Sequence, residues 1–427
     1  QRQMCIRDRY KDKYFLTASI RLDGSSKLAE GNKWGSFPSV AVAWRVSEEE
    51  FMKSLSWLSN LKLRLSYGQT GNDNVSAYQT QGSISGAKYY TFGSNESIGY
   101  VPNNLRNLDL GWERTTEYNV GIDFGLLNNR ISGSIDIYKA ETRDILMNRV
   151  IPSINGYASV MENIGKTEST GVDLTLSTVN IQNKNFSWFS DFSLSHNREK
   201  IKELASGQLK DEANAWFVGE PFKVFYDYKK EGIWQLGEEA AAAANGQEPG
   251  DIKVQDVDGN GVITTDDRII YSQRPDVTFG FNNTFNYKGF DLSVFLYARL
   301  GQWIAYDYNT TYRINALENG GNVDYWTPEN PTNAFPRPNK SKSYTQVTYY
   351  STLKYEDGSF FKIRDITLGY TFKPELLKHL NLSRLRVYAT AKNFFTFSKI
   401  DNYDPEQGGS ISFPMTKQLV FGLNVEF

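Results

Sequence analysis

Apolar and polar residues alternate one by one through most of this 427-residue chain. In the segment EYNVGIDF, Tyr118, Val120 and Ile122 share one side of an extended strand, whereas Asn119 and Asp123 share the other. Successive side chains of a strand point to opposite faces, so this period of two predicts strands with one apolar and one polar face. The same alternation recurs in ISGSIDI, GVDLTLS, FSWFSDFSL, FDLSVFL and ITLGYTF.

The alternation predicts an all-β chain of about twelve strands, most of which reach the roughly 9–11 residues that cross a bilayer at a tilt. The predicted strands are 13–23, 36–47, 61–70, 112–126, 130–148, 164–178, 184–198, 276–287, 289–300, 360–373, 384–397 and 415–427. The connections between them are alternately long and short. The longest are 199–275 and 301–359. Bacterial outer-membrane barrels have long extracellular loops and short periplasmic turns, so the sequence predicts an antiparallel transmembrane β-barrel.

Composition narrows the possible functions. Aromatic residues make up 14% of the chain, yet the mean hydropathy is −0.51, a combination typical of a barrel with a polar lumen. A net charge of −2 argues against nucleic-acid binding. Two His and one Cys leave little scope for soft-metal or Cys/His nucleophile chemistry. The sequence contains no nucleophile elbow, phosphate loop or zinc-ligand pair, so no enzyme is predicted.

The segment DVDGNGVITTDD has the spacing of a calcium-binding loop. Asp256, Asp258 and Asn260 occupy its first, third and fifth positions, Val262 offers a carbonyl, and Asp267 closes the loop at position twelve. Gly261 stands at the sharp turn, and Thr264 is expected to act through water. All of these ligands are oxygens, which select a hard cation, and the absence of flanking amphipathic helices predicts a structural calcium ion that orders the loop locally. The alternative is a turn rich in Asp, Asn and Gly.

Several stretches closely resemble the C-terminal part of SusC/RagA-type TonB-linked outer-membrane proteins. These are YFLTASIRLDGSSKLAEGNKWGSFPSVAVAWRVSEEEF, NLKLRLSYGQTGN, GWERTTEYNVGIDFGLLNNRISGSIDIY, YWTPENPTNAFPRP, DGSFFKIRDITLGYTF and NFFTFSKIDNYDPE, together with the DVDGNGVITTDDR loop. The likeness runs from about Tyr14 to Phe427, and Leu28 departs from it where an aromatic residue is expected. The chain also ends on an apolar strand with a terminal aromatic, Phe427, which resembles the assembly signal of such barrels.

The resemblance implies an outer-membrane importer of a nutrient such as an oligosaccharide or a peptide. Its expected features are a 22-stranded barrel with an N-terminal plug, energy from the TonB complex, surrounding membrane lipid, and a SusD-like surface lipoprotein as partner. The chain accounts for about twelve strands, so residues 10–427 are expected to be the C-terminal half of the barrel, with the plug domain and the TonB-contacting segment absent. QRQMCIRDR does not match the pattern that follows, so residues 1–9 are predicted to be a non-native junction.

No substrate site can be named from the sequence. Aromatic residues in the predicted long loops are candidates for stacking on a ligand or a lid protein, but loop packing or a membrane-interface girdle is favoured for any single one. They are Tyr89, Tyr90, Trp303, Tyr306, Tyr308, Tyr325 and Trp326. The competing hypothesis for the whole chain is a secreted, calcium-stabilised β-sandwich that serves as an adhesion or binding module, whose loops need not alternate in length.

Overall fold

The computed structural model describes residues 2–152, 154, 156–157, 159–315, 320–343, 346–377 and 381–427. Its strands are β1 (Arg2–Tyr10), β2 (Tyr14–Gly24), β3 (Trp34–Arg45), β4 (Leu58–Asn72), β5 (Ser83–Phe92), β6 (Asn95–Leu105), β7 (Glu113–Leu126), β8 (Ile131–Arg143), β9 (Leu146–Val150), β10 (Ser159–Asn163), β11 (Lys166–Gln182), β12 (Phe186–Glu203), β13 (Lys210–Asp211), β14 (Trp216–Phe217), β15 (Val224–Asp227), β16 (Lys230–Ile233), β17 (Ile252–Val254), β18 (Ile269–Ser272), β19 (Val277–Tyr287), β20 (Phe290–Leu300), β21 (Trp303–Ala305), β22 (Tyr355–Asp357), β23 (Phe360–Thr371), β24 (Arg384–Ser398) and β25 (Gln418–Glu426). The α-helices are α1 (Glu239–Ala244) and α2 (Pro374–Leu377). No helix in these ranges has the length and apolar character needed to cross a membrane.

The chain forms two compact units, Gln1–Thr178 with Ser195–Phe222, and Val179–Leu194 with Lys223–Phe427. In the first unit, β1, β2, β3, β4, β7, β8 and β11 lie side by side in that order, and each pairs antiparallel with the next. The register keeps apolar residues together, because Val120 of β7 faces Leu65 of β4 on one side and Ile137 of β8 on the other. The predicted alternation therefore becomes a continuous apolar face across neighbouring strands.

In the first unit the connections after β1 and β7 are short, whereas those after β4 and β8 are long. Two short turns, at Lys11–Asp12 and at 127–129, contain residues in the left-handed backbone region. Because consecutive strands of this sheet are antiparallel, the connections after β2, β4 and β8 leave from the opposite end. The connection after β4 holds the β5–β6 hairpin, which continues through β10 to β9 as a separate sheet. The predicted alternation therefore holds for the connections after β1, β4, β7 and β8, but it fails between β2 and β4, where the connection 46–57 after β3 is longer than the connection 25–33 after β2.

The second unit has the same plan. β19, β20, β23, β24 and β25 pair antiparallel in that order. β19 and β20 are joined by the two-residue turn Lys288–Gly289, whose residues both have positive φ. The Lys288 amide donates to the Asn185 carbonyl at 3.3 Å, which brings the predicted short turn after β11 to the same end. A bulge beside Arg364 shifts the register between β23 and both neighbouring strands, a feature that simple alternation did not predict.

Charged residues occupy the sheet face opposite the apolar one. Arg64 donates through Nε to Asp123 at 3.0 Å and through Nη2 to Asp136 at 2.9 Å, which links β4, β7 and β8. A Cβ on Gly121 would lie 2.6 Å from the Arg64 guanidinium carbon, so glycine leaves the room that this guanidinium needs. In the second unit Arg386 donates to Asp291 at 2.9 Å in the same way. Paired charges of this kind suit a polar lumen.

All twelve predicted strands are present, with ends within a few residues of those expected, and the all-β barrel-type prediction is confirmed. The predicted strand 130–148 divides into β8 and β9, and the predicted connection 71–111 contains β5 and β6. The segment Arg2–Tyr10 also forms a strand, paired residue by residue with β2. That residues 1–9 are a non-native junction stays a prediction.

A small core supports the long-connection end of the first unit. Its buried residues are Leu28, Ala29, Phe37, Val75, Leu110 and Trp112. Leu28, which departs from the resemblance, is 2% exposed in this core, and Phe37 packs edge-on against Trp112 with ring centroids 5.3 Å apart. An aliphatic side chain therefore fills the position without leaving it open to solvent.

A new charge is expected to destabilise the protein more on the apolar face of the sheet than on the charged face. Val120→Arg places a cation on the apolar face, and we expect it to cost roughly 2–4 kcal/mol of folding free energy near the middle of a bilayer. Asn119→Arg, on the charged face of the same strand, should cost much less. Reversible urea unfolding in lipid vesicles measures both. Equal costs for the two variants would mean that β7 is assigned to the wrong register.

Candidate functional site

Two long connections of the second unit fold together into one assembly. They follow β12 and β20, and they contribute β15 to β18, α1, β21 and β22. Their shared core consists of Ile233, Ile252, Val254, Trp326, Tyr350 and Leu353. We call this part of the chain, 223–276 with 301–359, the loop assembly. Its buried core shows that these loops are packed structures, which is typical of loops that carry function.

Hydrogen bonds join the two connections across about a hundred residues of sequence. The Trp326 indole donates to Gln235 Oε1 at 2.9 Å, and the Ile233 amide donates to Asn333 Oδ1 at 3.0 Å. Arg337 forms ion pairs with both Glu248 and Asp251. Each of these contacts joins one connection to the other, so the two connections stabilise each other.

The calcium-type loop lies on this assembly. It brings together Asp256, Asp258 and Asp267, whose nearest carboxylate oxygens all lie within 4.8 Å of one another. The loop is closed by its own backbone, since Gly259 and Gly261 amides donate to the two Asp256 oxygens at 2.8 and 2.7 Å. Gly261 has φ +83°, as the predicted sharp turn requires. Three carboxylates held this close suit a hard cation that accepts oxygen ligands.

The other two predicted ligands take part in the network of the loop. The Asn260 side-chain oxygen accepts the Val262 amide at 2.7 Å, and its amide donates to Asp258 Oδ2 at 2.7 Å. The Val262 side chain is 53% exposed. Thr264, which was predicted to act through water, caps the short helical turn that follows, where its hydroxyl accepts the Asp266 amide at 3.2 Å.

Asp267 is the buried member of the carboxylate group. Its two oxygens accept the Val257 and Thr264 amides, each at 2.7 Å. The hydrogen bond from Thr264 is the main reason why the pKa of Asp267 lies below its ordinary value, even though burial acts in the opposite direction. The carboxylate is therefore ionised at neutral pH, as a cation ligand must be.

The loop is less independent than the sequence indicated. The Ile263 amide donates to Asn245 Oδ1 at 2.9 Å, and Asn245 directly follows α1, which occupies the Ala-rich segment. Ile263 also packs against the core of the loop assembly. These contacts link the loop to α1 and to this core, and the expectation that calcium orders the loop locally stays a prediction.

The predicted loop aromatics divide into buried and exposed groups. Trp326 and Tyr306 are buried in packed loops, and Tyr308 stacks on Tyr306 with centroids 5.8 Å apart. Trp303 packs edge-on against Tyr271. The exposed ones are Tyr89 and Tyr90 of β5 and Tyr325. Loop packing thus accounts for most of the set in the second unit.

A buried charge that the sequence did not single out anchors the last long connection. Lys362 of β23 is fully buried, and its ammonium contacts Asp404 at 2.6 Å and Glu406 at 2.7 Å. These carboxylates belong to the NYDPE segment. The ion pairs tie that segment to the charged face of the sheet, and a lysine two positions into a predicted strand gave no sequence signal for this role.

Comparison with known proteins identifies the family. The family model described as TonB dependent receptor-like, beta-barrel matches residues 7–394. The chain belongs to this TonB-dependent receptor β-barrel family. Members of this family are outer-membrane barrels, so the predicted location in the cell outer membrane is confirmed.

Individual relatives agree with this assignment. The chain is 32% identical to TonB-dependent receptor P3 of Formosa agariphila over 98% of its own length and 44% of that protein. It is also 32% identical to TonB-dependent receptor SusC of Bacteroides thetaiotaomicron, over 97% of the chain and 42% of SusC. Among solved structures, that of the RagAB peptide transporter matches with a TM-score of 0.80 and 26% identity, over 98% of this chain and 46% of the other. The chain thus spans less than half the length of the relatives that it matches, which fits the predicted C-terminal SusC/RagA-type barrel portion.

Proposed function

We propose that this chain is the C-terminal barrel portion of a TonB-dependent importer that moves a nutrient across the outer membrane. The observation that carries the proposal is the shared fold with the RagAB peptide transporter over 98% of the chain. The nutrient belongs to the class of oligosaccharides or peptides. Import depends on a plug domain and a TonB-contacting segment upstream of these residues, and on a SusD-like surface lipoprotein that captures the nutrient.

The structure of the long loops supports this proposal. A passive barrel wall needs only short turns, but here the long connections form a packed assembly with its own buried core. Such an assembly offers a firm surface at the extracellular rim for a lipoprotein and for incoming solute. The exposed aromatics of the β5–β6 hairpin, Tyr89 and Tyr90, add a further apolar surface at the long-connection end of the first unit.

A β-sandwich adhesin and an enzyme fit the observations less well. Strands such as β7 and β11 run for 14 and 17 residues, longer than a sandwich sheet needs. Several titratable groups of the loop assembly form ion pairs in the manner of a scaffold, as Arg337 does with Glu248 and Asp251. We therefore propose a transporter component and no catalytic residue.

Energy-dependent uptake tests the proposal. The full-length protein that carries this chain is deleted, and the strain is grown on oligosaccharide mixtures or on tryptic peptides as the sole carbon source. We expect growth on one of these to be lost and to return with the intact gene. In the complemented strain, deletion of TonB should abolish uptake of the labelled nutrient while surface binding remains. Binding without any TonB-dependent uptake would support an adhesion module and overturn the importer.

We also propose that a calcium ion binds the DVDGNGVITTDD loop and orders it together with α1. Asp256, Asp258 and Asp267 supply carboxylate oxygens, and Asn260 and the Val262 carbonyl complete the set after a small rearrangement of the loop. The close approach of the three carboxylates supports this proposal, because like charges so near one another repel unless a cation lies between them. The ion has a structural role, with oxygen distances of roughly 2.3–2.6 Å.

Removing one ligand tests the calcium site. Asp258→Ala takes away a carboxylate and leaves both hydrogen bonds of Asp267 in place, so calcium binding should weaken strongly. Asp266→Asn is the matched control, because this exposed carboxylate lies outside the group of three. Calcium titration of the full-length protein and protease resistance of 245–267 are measured for both variants. If Asp258→Ala binds calcium like the control and the loop resists protease equally, the motif is only a turn.

A further inference from the structure

A cavity of about 450 Å³ opens inside the loop assembly, away from the calcium-type loop. Its walls come from β16, β18, β21, β22 and the segment 333–335. Tyr271, Trp303 and Tyr355 form an aromatic side, in which Tyr271 lies 4.8 Å from the Trp303 ring and 5.2 Å from the Tyr355 ring, centroid to centroid. A cavity of this size with an aromatic wall has the dimensions of a small-molecule site. We call it the loop pocket.

Two opposite charges line this pocket without pairing. Lys230 donates to the Ala334 carbonyl and lies 5.9 Å from the Phe335 ring centroid. Glu356 accepts the Asn309 side-chain amide at 3.0 Å. Within the part of the chain that the structure describes, neither forms an ion pair at 4.0 Å or less, either with the other or with a third residue.

The pKa values of both groups are shifted toward the uncharged form. Burial lowers the pKa of the Lys230 ammonium, and burial raises the pKa of the Glu356 carboxyl. The charge of each acts on the pKa of the other in the opposite direction, so the two groups interact across the cavity. A partly buried charge without a counterion is unfavourable for folding. The buried Lys362 of β23, by contrast, has two carboxylate partners.

The remaining charges keep the pocket close to neutral. Asp357 pairs with the exposed Lys399 at 3.0 Å at its edge, and Lys229 and Glu231 are exposed on either side of Lys230. A ligand with a large net charge of either sign is therefore not favoured. A ligand that carries one positive and one negative group satisfies Lys230 and Glu356 together.

We infer that the loop pocket binds a small zwitterion of the amino-acid or dipeptide class, with its carboxylate at Lys230, its ammonium at Glu356 and an apolar side chain against Tyr271, Trp303 and Tyr355. This inference deepens the proposed importer by naming a substrate class and a first binding site. A sugar would stack on the same aromatic wall, but it would leave both charges without counterions.

Blocked ligands test the inference on the unmodified protein. Isothermal titration of the purified full-length transporter uses the dipeptide Ala-Phe, its N-acetyl form, its C-terminal amide and maltose. We expect Ala-Phe to bind, each blocked form to bind at least tenfold more weakly, and maltose not to compete. No binding of Ala-Phe at millimolar concentration, or equal binding of the blocked forms, would overturn the inference. This arm needs no variant and does not depend on folding of a mutant.

Variants assign the two ends of the ligand. Glu356→Gln should abolish the preference for a free amino end while discrimination against the amide remains, and Lys230→Met should do the reverse. Glu329→Gln and Lys340→Met change exposed charges of the same assembly and should leave both preferences intact. If both pocket variants retain both preferences, the ligand binds elsewhere. If the unmodified protein binds the dipeptide but shows no TonB-dependent uptake of it, the importer proposal is wrong. If uptake in both pocket variants equals that of the unmodified protein, the pocket inference is wrong.

Discussion

Backbone hydrogen bonding in a membrane is the constraint on which this structure depends. Lipid offers no partners for amide and carbonyl groups, so a chain that crosses it as strands must pair every strand with its neighbours. Each strand must then present one apolar and one polar face at once. The sheets of both units meet this requirement, with Val120, Leu65 and Ile137 aligned on one face and Arg64 paired to Asp123 and Asp136 on the other.

The same constraint explains why the candidate binding sites lie in the long connections. Barrel strands have little freedom, since a residue that changes face loses its proper surroundings. Loops outside the lipid are free to lengthen, and here two of them have formed a core around Trp326 and Leu353. Ile263 of the calcium-type loop packs against that core, and Lys230 and Glu356 of the same assembly face one cavity.

Local periodicity accounts for most of what the sequence could predict. It placed all twelve long strands and the face of each residue in β7, because alternation is a property of neighbouring residues. The spacing of the calcium-type motif likewise predicted that Asp256, Asp258 and Asp267 lie together, because they fall within twelve positions of one another. Local periodicity could not find the bulge at Arg364, the β5–β6 hairpin or the pairing of Arg2–Tyr10, which depend on neighbouring strands. The loop pocket was beyond reach, since Lys230 and Ala334 are 104 positions apart and meet only through tertiary packing.

The apolar face of these sheets is expected to face lipid in a TonB-dependent receptor barrel. Spin labels placed one at a time at positions 117 to 124 of the full-length protein, in a Cys5→Ser background, measure this most directly through their accessibility to oxygen and to a polar nickel complex. We expect oxygen maxima at Tyr118, Val120, Ile122 and Phe124, with nickel maxima at the residues between them. Maxima in the opposite phase, or no period of two, would contradict it.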